Sequence, residues 1–116
     1  MLNDDIIQPS IGPWNSPILV IPKTVDASGK QKWRIVVYFR KMKDVTVGDS
    51  FPVPMIPEIL DNFGNSKYFS TIDCAGGFLQ IPVRLEDRPK AAFSAVHDHS
   101  EYKRMPMGLK GAPFHL

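Results

Sequence analysis

The chain has 116 residues, 43% of them hydrophobic, and a formal net charge of +2. That is one domain or part of one, too apolar for a disordered segment and too short for more than a modest core. One cysteine, Cys74, excludes an intrachain disulfide and fits a reducing, intracellular setting; no apolar run is long enough to span a bilayer, and no basic-then-apolar leader opens the chain.

Eleven prolines predict short elements rather than long helices. Residues 1–5 are polar and read as an untied end. Residues 18–21 form an apolar, β-branched run between Pro17 and Pro22, which predicts a strand. Asp26, Ala27, Ser28 and Gly29 supply turn chemistry, and residues 33–39 form a second β-rich run, so 18–39 reads as a β-hairpin. Lys23, Lys30, Lys32, Arg34, Arg40, Lys41 and Lys43 stand on or beside it against the single acid Asp26. Such an excess binds phosphates, or is simply a solvated basic face.

Residues 45–54 read as a connecting loop with Gly48, Pro52 and Pro54. Ile56, Ile59, Leu60 and Phe63 fall at helical spacing, and Gly64 ends that helix. Residues 67–72 alternate as a strand leading to Asp73, and residues 74–77 are a tight turn. Residues 78–83 are helical or irregular as far as Pro82. Residues 90–96 and 101–105 predict a second hairpin turning at 97–100, and Gly111, Ala112 and Pro113 open a helix. A domain rarely stops one turn into a helix, so Leu116 reads as a truncation. The order is an α+β pattern.

Asp73, at a strand end and before a glycine turn, is placed to hold a hard cation such as Mg²⁺; capping the turn is the plainer alternative. Gly76 and Gly77 let backbone N–H groups approach an anion, and Phe78 stands where it can pack on a ligand. Arg34 and Lys23, on opposite hairpin strands, can face one phosphate, or be two exposed cations. His97, His99 and His115 lack metal-site spacing and are assigned to surface or turn roles. Cys74 reads as a small packed residue, and Phe63, Tyr68, Phe69 and Phe93 as core.

Taken in order, seven segments resemble the fingers and early palm of retroelement reverse transcriptases, especially those of gypsy-type long-terminal-repeat retrotransposons. They are residues 7–10 (IQPS), 14–23 (WNSPILVIPK), 32–37 (KWRIVV), 51–54 (FPVP), 68–73 (YFSTID), 77–81 (GFLQI) and 105–113 (MPMGLKGAP). The resemblance implies a truncated right-hand polymerase fold, with residues 1–66 fingers-like and 67–116 the start of the palm. It implies that Asp73 is a catalytic aspartate and Mg²⁺ ligand, with the Cys74 carbonyl as a second ligand. Lys23 and Arg34 would grip the incoming triphosphate, Gly76 and Gly77 would donate N–H groups to it, and Phe78 would block a ribose 2′-hydroxyl. Met107 would line the nucleotide pocket, and Lys110, Gly111 and Pro113 would lie on the template side. The partners implied are an RNA or DNA template-primer, deoxynucleoside triphosphates and the rest of a Pol polyprotein, in the cytoplasm, a virus-like particle or the nucleus.

Three departures stand out. The family's tyrosine-x-aspartate-aspartate motif is absent from this sequence, so the fragment is expected to be inactive alone. Tyr38 precedes Phe39 and Arg40 where relatives usually have aspartate, which removes a partner for Arg34 or Arg40. Lys43 replaces a usual asparagine. These changes leave open a nucleic-acid-binding remnant, or a pseudogene product that folds poorly.

Overall fold

The computed structural model describes residues 4–25, 27–48 and 52–112. Its strands are β1 (Ile7–Pro9), β2 (Ile18–Pro22), β3 (Trp33–Val37), β4 (Ala92–Ser94) and β5 (His99–Tyr102), and its helices α1 (Arg40–Val45) and α2 (Ile56–Phe63). Two 3-10 segments, Gly77–Gln80 and Leu85–Ala91, stand between α2 and β4. β1, β5 and β4 form one antiparallel sheet in that order, and β2 and β3 form the other. The α+β class therefore stands. Among the described residues no helix is long and apolar enough to cross a membrane.

The first hairpin follows from its residues. β-Branched side chains favour the extended backbone, and prolines, which donate no ladder bond, mark its ends. Ile18 pairs with Val37, Ile21 with Arg34 and Pro22 with Trp33. The Tyr38 N–H donates to the Pro17 carbonyl at the base (2.9 Å), and the Lys23 N–H donates to Lys32 at the far end (2.8 Å). α2 has the predicted span, with Gly64 at φ 51° ending it. That left-handed φ favours a residue without a Cβ.

Several expectations are corrected. Residues 67–72 form no strand, because among the described residues no strand edge pairs with them. Tyr68 and Phe69 are consequently exposed rather than core, as is Phe63, although Phe63 and Phe69 meet edge to face at 5.2 Å. Cys74 is exposed, not packed. The second hairpin forms, but its loop is 95–98, closed by the Ala95 N–H on the Asp98 carbonyl (2.9 Å). His99 and Ser100 thus belong to β5 rather than to a turn. The first strand begins late, because Pro89 sits in the 3-10 segment Leu85–Ala91. β1 and α1 were not anticipated. Asp5 is not untied: its carboxylate pairs with the Lys103 ammonium, which holds the Asp5 carboxyl below the usual carboxylate range. Pro113 and the remainder of the helix expected to open at residues 111–113 lie outside the described residues.

The core joins the hairpin base to the three-stranded sheet. Val37, Phe39, Ala91 and Phe93 are buried, with Ile7, Ile18, Met42, Tyr102 and Leu109 packed against them. The Tyr102 ring meets Phe39 at 6.4 Å and Phe93 at 5.0 Å. Each such pair adds about 0.5–1.5 kcal/mol beyond area burial. Glu101, also buried, accepts from Gln8 Nε2 at 2.6 Å and from Ser10 Oγ at 2.8 Å. Away from this body packing is thin. α2 buries none of its side chains, and the radius of gyration is 17.6 Å. A compact chain of this length would have about 13 Å.

Two predictions follow from the core. Glu101→Ala leaves two donors without their acceptor, so it should cost about 1–3 kcal/mol in urea denaturation, with β1 the first element to exchange its amides. Burial pushes the Tyr102 phenol up from its ordinary value. Because the folded-state value is the raised one, its contribution is fully present below the unfolded value, about 10, and is lost as pH rises through the folded value. Denaturation between pH 8 and 11.5 should show a weaker alkaline loss of stability in Tyr102→Phe than in the parent chain.

Candidate functional site

Asp73 and Cys74 are exposed at the end of the irregular stretch that follows α2. The chain then turns through Ala75 and Gly76 into the 3-10 segment Gly77–Gln80. Gly76 is left-handed (φ 57°, ψ 48°), a conformation that costs a residue with a Cβ about 1–2 kcal/mol. Gly77 is not among the positive-φ glycines. A left-handed residue followed by a right-handed turn aims successive N–H groups into one concavity, the geometry of an anion nest. Among the described residues no acceptor takes the Gly76 or Gly77 N–H.

The turn is braced from two sides. The Leu79 N–H donates to the Gly76 carbonyl at 2.9 Å, and Gln80 Nε2 donates to the Ala75 carbonyl at 3.0 Å. The Gln80 carbonyl in turn accepts from the Arg104 guanidinium at 3.0 Å. Phe78 is half-buried in this segment.

Beside it lies a cavity of about 290 Å³ lined by Arg34, Val36 and Val37 of β3, Leu79, Tyr102, and Pro106, Met107 and Gly108. Arg34 and Met107 are thus brought together, next to the segment that carries Phe78. Lys23 does not line this cavity. By the register Ile21 opposes Arg34, so Lys23, two residues beyond, shares the Arg34 face of the hairpin and stands nearer its tip. Asp73, Gly76 and Gly77 lie outside the lining and connect to it through Leu79.

The expected template-side residues divide. Lys110 Nζ donates to the Thr46 carbonyl at 3.1 Å, at the C-terminal end of α1, where Thr46 Oγ1 also donates to the Met42 carbonyl at 2.6 Å. Gly111 is left-handed with open space around it, and Pro113 lies outside the described residues.

A second cavity of similar size was not anticipated. It is lined by Asn15, Ser16, Pro17, Tyr38, Arg40 and Lys41. The signal available for it was the basic run that includes Arg40 and Lys41. Among the described residues neither Arg34 nor Arg40 has an ion-pair partner. His99 Nε2 lies 2.9 Å from the Trp14 carbonyl, and among the described residues no three His, Cys, Asp or Glu side chains cluster as a metal set. One carboxylate and one carbonyl, Asp73 and Cys74, supply hard oxygen donors of the type Mg²⁺ takes, but only part of a coordination shell.

Residues 21–116 match the family described as reverse transcriptase (RNA-dependent DNA polymerase). The chain is 48% identical over 113 residues to the retrovirus-related Pol polyprotein from transposon 297 of Drosophila melanogaster, covering 97% of this chain and 11% of that protein. It is 42% identical over 113 residues to the polyprotein from transposon gypsy of the same organism, with the same coverage of each. Among solved structures it resembles a foamy viral protease–reverse transcriptase in complex with double-stranded DNA, with a TM-score of 0.84 and 26% identity, covering 98% of this chain and 19% of that one. The likeness fits a fingers and palm fragment. The chain spans about a tenth of the length of the Pol polyproteins and about a fifth of the foamy viral chain.

Lys110→Met removes a cation from the last carbonyls of α1. The expected loss is about 0.5–1.5 kcal/mol of stability in urea denaturation, smaller for Lys110→Arg.

Proposed function

Since the chain belongs to the reverse transcriptase family, we propose that it forms the nucleotide-gripping part of an RNA-directed DNA polymerase, with residues 1–66 as fingers and 67–116 as the beginning of the palm. The observation that supports this reading best is the shared cavity. Arg34 and Met107, far apart in sequence, line it together, and the Gly76–Gly77 turn runs into its wall at Leu79.

In this reading the triphosphate of a deoxynucleotide lies between the hairpin and the turn. Arg34 clamps it through a planar guanidinium, and Lys23 adds a point charge nearer the tip. The Gly76 and Gly77 N–H groups donate to its oxygens, and the Phe78 ring occupies the space a ribose 2′-hydroxyl would need. Met107 borders the base. Asp73 and the Cys74 carbonyl would hold Mg²⁺, which when bound activates the primer 3′-hydroxyl and neutralises the leaving pyrophosphate. The chain's own groups bind and orient the nucleotide so that attack on the α-phosphate is in line.

The partners are an RNA or DNA template-primer and the remainder of a Pol polyprotein, inside the cell. The sequence carries no tyrosine-x-aspartate-aspartate, so this chain by itself binds without extending a primer. A non-enzymatic nucleic-acid-binding remnant is the alternative, favoured by the second cavity with Arg40 and Lys41.

Titration of the 116-residue chain with Mg²⁺ and dGTP separates the two. On the first reading Arg34→Ala weakens dGTP binding about 10- to 100-fold, as expected for a charge-assisted contact, and Phe78→Ala admits GTP as readily as dGTP. Primer extension with Mg²⁺ stays at background. Loss of duplex binding in Arg40→Ala, with no dGTP binding by the parent chain, would instead establish the remnant.

A further inference from the structure

Resting on the triphosphate reading above, we propose that Gln80 is a positioning residue for the Gly76–Gly77 donors, and that Arg104 links it to the loop carrying Met107. The argument begins with peptide geometry. A trans peptide points its C=O and its N–H in opposite directions, so fixing one fixes the other. The carbonyl of Ala75 belongs to the same peptide as the Gly76 N–H. Gln80 Nε2 holds that carbonyl at 3.0 Å and thereby sets where the Gly76 N–H points. The carbonyl of Gly76 shares its peptide with the Gly77 N–H, and the Leu79 N–H holds it at 2.9 Å. Both donors of the nest are aimed from behind, by bonds on the far ends of their peptides.

These bonds matter because the backbone there has few other restraints. Residues 71–76 are exposed, and a Cβ added at Gly76 would meet only the Leu79 side chain, at 4.0 Å. Glycine loses more conformational freedom on ordering than any other residue. Two adjacent glycines without a brace would sample many N–H directions, and a donor set that must be ordered by the ligand binds it more weakly.

Gln80 is itself fixed from the second hairpin. Arg104 donates to its carbonyl at 3.0 Å. On either side of that contact, the Met105 N–H donates to Ile81 (2.8 Å) and the Val83 N–H donates to Lys103 (2.9 Å), and Pro82 bridges Arg104. Residues 103–105 lead directly into Pro106 and Met107, which line the cavity. One segment therefore places Met107 on one side of the nucleotide and, through Gln80, the backbone donors on the other.

The test uses the 116-residue chain, ¹⁵N relaxation order parameters for Gly76 and Gly77, and Mg²⁺–dGTP titration. Gln80→Met keeps the side chain's length and removes its donor. The expected result is a fall in both glycine order parameters from about 0.85 to under about 0.6, a roughly three- to tenfold loss of dGTP affinity, and an unchanged melting temperature. Arg104→Met should do the same, and the double variant should go no further, because both act through one residue. Arg104→Met carries the test alone should Gln80→Met melt early. Unchanged order parameters at Gly76 and Gly77 in both variants overturn the proposal, whatever happens to affinity. A fall in order in a chain that never binds dGTP upholds the bracing role and overturns the triphosphate reading instead.

Discussion

Glu101 brings a carboxylate into the middle of a small sheet, where it accepts from Gln8 and Ser10 and so fastens β1 to β5. A carboxylate taken out of water needs its lone pairs met, and here one donor, Gln8, stands in a strand of only three residues and the other, Ser10, directly follows it. β5 is where the structure converges. β4 pairs on its other edge, Tyr102 at its end packs against Phe39 and Phe93, and the chain leaving it runs along residues 81–83 toward Met107. The cavity wall at Tyr102 is the far face of the same arrangement. What happens at the candidate site is thus tied to how well one short strand is held.

How much was legible in the sequence depended on whether an element carries its own reason to form. The first hairpin does, in β-branched residues framed by Pro17 and Pro22, and α2 does, in its apolar spacing and Gly64. β1 does not: three residues with one proline become a strand only because β5 offers an edge. α1 was equally hidden, a single turn and a half whose Arg, Lys and Met are good helix formers but whose one inward residue, Met42, shows no periodicity. The opposite error occurred at 67–72, where alternation announced a strand that no neighbouring edge receives. Alternation reports a face suited to pairing and says nothing about the partner.

The site shows the same division. The order of motifs pointed to Arg34, Met107 and the Gly76–Gly77 turn as candidates, and the family match agrees with the resemblance those motifs carried. Which of them share a wall was not legible, because it depends on the register of β3 and on the path of residues 103–108. The sequence also gave no hint that Lys110 would lie on the end of α1 rather than stand free. A lysine in a motif looks the same whether its ammonium meets a carbonyl or solvent.

The hairpin holds one more consequence. Apolar residues occupy both of its faces, Val20 and Ile35 on one and Leu19 and Ile21 on the other, so inside-outside alternation alone would not fix its pairing. The register is secured instead by backbone bonds at its two ends, Tyr38 to Pro17 and Lys23 to Lys32. Within the tip the Gln31 side chain still donates to the Lys23 and Lys32 carbonyls, but farther along the loop a Cβ at Gly29 would meet nothing within 4 Å. Doubling such a loop costs only about 0.6 kcal/mol in closure entropy. A longer or shorter tip, or one with a different number of cations, would therefore leave the arginine at the cavity in its place.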